Sequence, residues 1–148
     1  MIFRTATRQD LPAVLALLAQ DDGAPEEARH DVGEAHERAF AAIEADARNE
    51  LLVLEEDGTV LGCLQLTYIP GLGQGGRERA LVEAVRIRAD RRGGGLGAQL
   101  MERAAERARE RGCGLMQLTS DKRRTAAHRF YERLGFARSH EGFKLRLL

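Results

Sequence analysis

The segment Arg91-Arg92-Gly93-Gly94-Gly95-Leu96-Gly97 places two guanidinium groups beside four glycines and runs directly into a stretch of helical periodicity. Residues without Cβ let a backbone approach a phosphate closely. The first turn of a helix offers N–H groups that have no intrahelical partner, and the helix dipole favours negative charge at that end. The chemistry indicated is the binding of a phosphate or pyrophosphate, with Arg91 and Arg92 adding charge-assisted donors. Two familiar phosphate cradles do not fit. A Walker loop needs Lys followed by Ser or Thr, where this chain has Leu96-Gly97-Ala98. A dinucleotide fingerprint follows the first strand and carries an acidic residue about 20 positions further on, whereas this loop comes late in the chain. A connector whose glycines merely turn the backbone is the bland alternative. Cys63 and Cys113 show no CxxC spacing and no adjacent histidines, which fits reduced packing residues better than a metal site.

The elements around this segment can be read from periodicity. Ile2 to Thr7 alternates as a strand does, and Asp10 is placed to cap a helix with Pro12 in its first turn and Leu11, Val14, Leu15 and Leu18 on one face. Residues Asp21 to Gly33 show no clear period, and Ala35 to Ala47 carries Ala39, Phe40, Ile43 and Ala47 at helical spacing. Leu51 to Leu54 and Thr59 to Ile69 read as strands joined through Asp57-Gly58, a dipeptide suited to a tight hairpin turn. Pro70 to Arg79 reads as a surface loop. A strand over Ala80 to Arg88 feeds the glycine segment. The helix that follows has Leu100, Met101, Ala104, Ala105 and Ala108 in register and Gly112 as its C-terminal cap. Leu115 to Thr119 reads as a short strand, Asp121 to Leu134 as a helix stopped by Gly135, and Phe136 to Leu147 as strand-like around Gly142. The order predicts an α/β fold with a mixed sheet and helices on both faces, in which the strand–helix–strand unit forms a parallel crossover.

A chain of 148 residues with 43% hydrophobic residues has the size of one domain spanning 1–148 and can bury a core. Its 23 basic residues balance 23 acidic ones, so no overall field draws it to nucleic acid or to an anionic membrane. The polar N-terminus and the lack of a long apolar run place it, as an expectation, in the cytoplasm.

Two motifs, taken together, resemble those of the GCN5-related N-acetyltransferase (GNAT) family. The family's acetyl-CoA loop, Q/R-x-x-G-x-G/A, is matched in register by Arg92, Gly95 and Gly97, and its F-Y-x-x-x-G-F pattern appears as Phe130-Tyr131-Glu132-Arg133-Leu134-Gly135-Phe136. The resemblance covers nearly the whole chain. It implies a sheet whose early strands are mostly antiparallel and whose fourth and fifth strands are parallel and splayed around the cofactor. It also implies acetyl-CoA as co-substrate, held by Arg92, Gly93, Gly94, Gly95, Leu96, Gly97 and Ala98 and by the strand edge at Val85, Arg86 and Ile87. Direct transfer to a primary amine in a ternary complex is the implied reaction.

Such a transfer needs a neutral amine, a polarised carbonyl and a proton for the departing thiolate. The resemblance assigns the proton to Tyr131 and the removal of the amine's proton to Glu83. His128 and Arg124 stand three and seven residues before Tyr131, on one helical face with it. The family commonly has Asn where Arg124 stands, and an arginine there is suited to a CoA phosphate. The stretch from Leu118 to Tyr131 looks like a subgroup that includes aminoalkylphosphonate N-acetyltransferases. The family builds its acceptor pocket from segments that correspond to Gln20 to Glu37 and Tyr68 to Arg79, with Arg29, His30, Asp31, Tyr68 and Arg77 as polar candidates. The expected acceptor is a small-molecule amine, with a protein or peptide amine as a variant. A CoA-binding regulatory module with little turnover is the alternative. No metal is expected. Relatives often form homodimers, for which residues Ala137 to Leu147 offer an edge.

Overall fold

The computed structural model describes residues 1–20 and 31–148. Their elements in chain order are β1 (Ile2–Thr5), α1 (Leu11–Ala19), α2 (Glu34–Ala45), β2 (Asn49–Glu56), β3 (Thr59–Ile69), β4 (Arg79–Ile87), α3 (Leu96–Arg111), β5 (Leu115–Gln117) and α4 (Thr125–Arg133). One sheet holds the strands in the order β1-β2-β3-β4-β5. Every neighbouring pair is antiparallel except β4 and β5, which run parallel, as the intervening helix requires.

The period-two alternation of β2 and β3 divides the core between the sheet's two faces. Leu52, Leu54, Leu64 and Leu66 pack with Leu100, Met101 and Ala104 of α3 on one side. Val53 and Cys63 join Leu11, Val14 and Leu17 of α1 and Phe40 of α2 on the other. Asp57 and Gly58 take φ of 51° and 80° at the β2–β3 turn, the left-handed pair a two-residue hairpin needs.

Three expectations are corrected. Asp10 places no side-chain cap on α1. It closes a 3-10 turn over Arg8–Asp10 by accepting the Thr7 N–H at 2.7 Å, and it accepts two bonds from Arg4, at 2.7 and 2.9 Å. The ion pair draws the carboxylate back toward β1 and away from the helix N-terminus. Secondly, α4 begins at Thr125, not at Asp121. The Asp121 carboxylate accepts the Arg123 N–H at 2.9 Å and so caps a turn that precedes the helix. Thirdly, residues 137–148 form no strand, and Phe143, Leu145 and Leu147 are 92%, 86% and 85% exposed. Alternation sorts side chains between faces only when a neighbouring strand supplies hydrogen bonds. The available edge, β5, is only three residues long.

Candidate functional site

The site is built where β4 and β5 part. Their register runs Arg79↔Leu115, Ala80↔Met116, Leu81↔Gln117 and stops, so β4 continues from Val82 to Ile87 without a partner strand on that edge among the described residues. On its other edge β4 stays paired with β3 through an irregularity between Cys63 and Gln65. There Ala84 takes φ of 55°, and the Cys63 thiol donates to the Ala84 carbonyl at 3.5 Å, filling the bulge. Beyond it the Arg88 N–H bonds to Leu61 O at 2.8 Å. Main-chain groups alternate between edges along a strand, so Arg86 faces β3 while Val85 and Ile87 present theirs to the open edge. Of the three edge residues expected from sequence, Arg86 is therefore left to act through its side chain. The two free carbonyls are met by the chain's own side chains: Val85 O by Arg86 Nη1 at 3.0 Å, and Ile87 O by Gln20 Nε2 at 3.3 Å and Arg92 Nε at 3.2 Å.

The glycine segment closes the end of this cleft. Gly93 and Gly95 have φ of 82° and 83°, a region that disfavours residues with a Cβ, and open space surrounds the position where a Cβ would stand. Gly95 is the N-cap of α3, no side chain caps it, and the first turn holds no acidic residue. The N–H groups of Leu96, Gly97 and Ala98 thus point out of the helix end with neither intrahelical nor side-chain acceptors among the described residues. Gly97 serves packing instead: a Cβ there would lie 3.2 Å from Phe130 Cζ and 3.9 Å from Ile87 Cγ1. Its absence lets α4 close against the start of α3 and the end of β4. The two arginines are engaged differently. Arg91 is tied to Glu56 at 2.8 Å, so its charge is already compensated, whereas Arg92 folds back onto Ile87 O.

Tyr131 packs edge-on against Phe130 and Phe136, with ring centroids 5.2 and 5.8 Å away, and joins Val85 and Ile87 on the α3 side of the sheet. Burial pushes its phenol above the ordinary value, and the nearby charges of Arg124 and Arg86 partly offset this. Glu83 lies opposite Gln65 in the register, as Arg86 lies opposite Cys63, which puts both on the α1–α2 face. Glu83 is exposed and has no ion pair among the described residues. His128 Nε2 lies 2.8 Å from the Asp121 carbonyl oxygen, a contact that ties α4 to the preceding turn.

The acceptor-pocket candidates separate. Arg29 and His30 lie outside the described residues, and Asp31 is exposed. Tyr68 is 3% exposed and donates to Glu50 Oε2 at 2.5 Å, so it belongs to the core. Arg77 lies against Gly114, 3.4 Å from the position its Cβ would take, at the opposite end of β4 from Gly95. Two side-chain atoms stand out: Arg86 Nε, on a residue expected from sequence only at the cofactor's strand edge, and Ser120 Oγ, which sequence reasoning passed over, are buried with no hydrogen-bond partner among the described residues. No motif marks their isolation, because it depends on where β4 bulges and where β5 ends. Among the described residues no cluster of His, Cys, Asp and Glu could hold a metal ion, and no helix is long and apolar enough to cross a membrane.

Comparison with known proteins agrees with this geometry. The chain is 30% identical over 141 residues to the aminoalkylphosphonate N-acetyltransferase of Salmonella typhimurium, covering 95% of this chain and 87% of that protein. It is 29% identical over 126 residues to the streptothricin acetyltransferase of Streptomyces lavendulae, covering 85% of this chain but only 58% of that protein's length. A crystal structure described as a transcriptional regulator from Bacillus halodurans C-125 superposes with a TM-score of 0.90 at 43% identity, covering 99% of both chains. Residues 14–136 match the acetyltransferase (GNAT) family. With the parallel β4–β5 pair parting beside an uncapped glycine helix terminus, the chain belongs to the GNAT acetyltransferases.

Proposed function

We propose that this chain is an acetyl-CoA-dependent N-acetyltransferase acting on the primary amine of a small molecule by direct attack in a ternary complex. The observation that carries the reading is the juxtaposition at the β4–β5 opening. There an uncapped α3 N-terminus of left-handed glycines adjoins an unpaired strand edge, and the edge adjoins a half-buried tyrosine. The donor set fits the cofactor. The Leu96, Gly97 and Ala98 N–H groups suit its pyrophosphate, with Arg92 beside them, and the Val85 and Ile87 main chain suits an extended amide-bearing arm. When bound, acetyl-CoA supplies an activated acyl group on a thiol leaving group. Tyr131, kept protonated by burial, donates its phenolic proton to the departing sulfur. Glu83, on the opposite face of the sheet, accepts the proton that the amine sheds. Both relatives named above are acetyltransferases whose names specify small molecules, which supports a small acceptor over a protein amine.

Calorimetry with acetyl-CoA, followed by a thiol-release assay over a panel of small amines, tests this reading. Saturable binding and amine-dependent thiol release are expected. The likeness to a protein described as a transcriptional regulator favours a second reading, a CoA-responsive module. Tight acetyl-CoA binding with no thiol release for any amine would select it, and failure to bind acetyl-CoA would remove both.

A further inference from the structure

We propose that Arg86 is a specificity-determining residue that receives an anionic group of the acceptor, so that the preferred substrate is a small amine also bearing a phosphonate, phosphate or carboxylate. The inference rests on the acetyltransferase reading and names the acceptor class for the same site.

Several arginines in this chain meet carboxylates. Arg4 meets Asp10 and Glu55, Arg88 meets Asp90, Arg91 meets Glu56, Arg107 meets Glu50 and Arg111 meets Glu78. Arg86 meets none among the described residues. Its side chain is only part-exposed, its Nε is buried without a partner among the described residues, and its one hydrogen bond there runs from Nη1 to the carbonyl of the preceding residue, Val85. A desolvated guanidinium donor left unpaired is costly, and the planar fork that would satisfy it is the one carboxylates and phosphonates present. The location is equally specific. Arg86 stands beyond the bulge at Ala84, on the face it shares with Glu83, and near enough to Tyr131 for its charge to act on the phenol. Glu83 is likewise unpaired among the described residues. The bulge thus sets a carboxylate and a guanidinium, neither in an ion pair among the described residues, on one face of β4, opposite Gln65 and Cys63, two residues or about 7 Å apart along β3. A lone positive charge beside the amine site would repel an ordinary protonated amine. A zwitterion offers its ammonium end to Glu83 and its anionic end to Arg86.

The test uses the full chain with acetyl-CoA and three acceptors of matched carbon skeleton: 2-aminoethylphosphonate, β-alanine and propylamine. The wild type should prefer the two zwitterions over propylamine by roughly 100-fold in kcat/KM, and their relative rates tell phosphonate from carboxylate. In Arg86→Gln that preference should collapse through a KM rise of roughly 30-fold or more for the zwitterions. The acetyl-CoA dissociation constant should stay within a factor of roughly three. Arg86→Lys should restore part of the preference and guards against misfolding of the glutamine variant. Equal wild-type rates for propylamine and the zwitterions would overturn the proposal, as would an Arg86→Gln defect that appears in acetyl-CoA binding. Calorimetric titration of 2-aminoethylphosphonate into the CoA-bound protein needs no turnover. Binding that Arg86→Gln abolishes upholds the proposal even if thiol release is never seen, and no binding to the wild type overturns it.

Discussion

At the scale of single residues, placement separates groups that the sequence leaves equivalent. Tyr68 and Tyr131 are the chain's two tyrosines. Tyr68 spends its hydroxyl on Glu50, while Tyr131 has a ring fixed by two aromatic neighbours and no hydrogen bond to its hydroxyl among the described residues. Replacing Tyr131 by Phe keeps those ring contacts and removes the proton. The expected outcome in steady-state thiol release is a fall in kcat of about 100-fold, the usual scale for general acid catalysis, with acetyl-CoA affinity unchanged by calorimetry. Because burial raises the phenol, the wild-type rate should also decline only as pH rises past its ordinary value near 10. An unchanged kcat would remove the acid role. The cysteines separate too. Burial in the bulge pushes the Cys63 thiol up to about 12, so it stays protonated and unreactive, while Cys113 is only half-buried. Mass spectrometry after iodoacetamide treatment at pH 8 should find Cys113 labelled in the native protein and Cys63 labelled only after denaturation.

At the scale of elements, the parts stabilised by local chemistry were legible in sequence, and the parts set by tertiary pairing were not. Asp57-Gly58 specifies its own turn, and the apolar spacing of Leu100, Met101, Ala104 and Ala108 with Gly112 behind it specifies α3, so both emerged as read. The glycine segment was legible for the same reason, since φ of 83° at Gly95 is something the residue type announces. By contrast, Glu83 and Arg86 are marked in sequence for separate roles, and only the irregular register shows that they share one face. The strand expected over Phe136 to Leu147 depends on an edge that three residues of β5 do not extend. The α3 N-terminus yields the element's own test. Gly95→Ala forces a Cβ into the left-handed region at a cost of about 1–2 kcal/mol, which should lower Tm by about 4 °C and weaken acetyl-CoA binding by roughly 10-fold as the N–H groups reorient. Gly73→Ala, at φ of −69° with open space around it, should do neither.

At the scale of the whole molecule, the two faces of the sheet must be held in register with the cleft, and the chain begins that task near its N-terminus. Arg4 on β1 bridges Asp10, in the turn before α1, and Glu55 on β2, at 2.7 and 3.0 Å. Asp10 is 8% exposed and also accepts the Thr7 N–H. The Arg4 hydrogen bond, chiefly, holds the Asp10 carboxyl below the usual carboxylate range, against the opposing effect of burial. An unfolded chain therefore takes up this proton at higher pH than the folded one. The contribution to stability is fully present above the unfolded value near 4 and is lost as pH falls through the lower folded value. Asp10→Asn keeps the shape but removes the charge. Because Glu55 still compensates Arg4, and Arg4 is itself partly exposed, the cost at pH 7 should be about 2 kcal/mol, below the range for a fully buried pair. Urea unfolding of both proteins between pH 7 and pH 3 measures this directly. The gap between their midpoints should be constant down to pH 5 and narrow below pH 4, as the wild type loses what the variant never had. Midpoints that fall in parallel would mean that Asp10 stabilises through its hydrogen-bonded shape alone, and that the link from α1 to the sheet does not depend on charge.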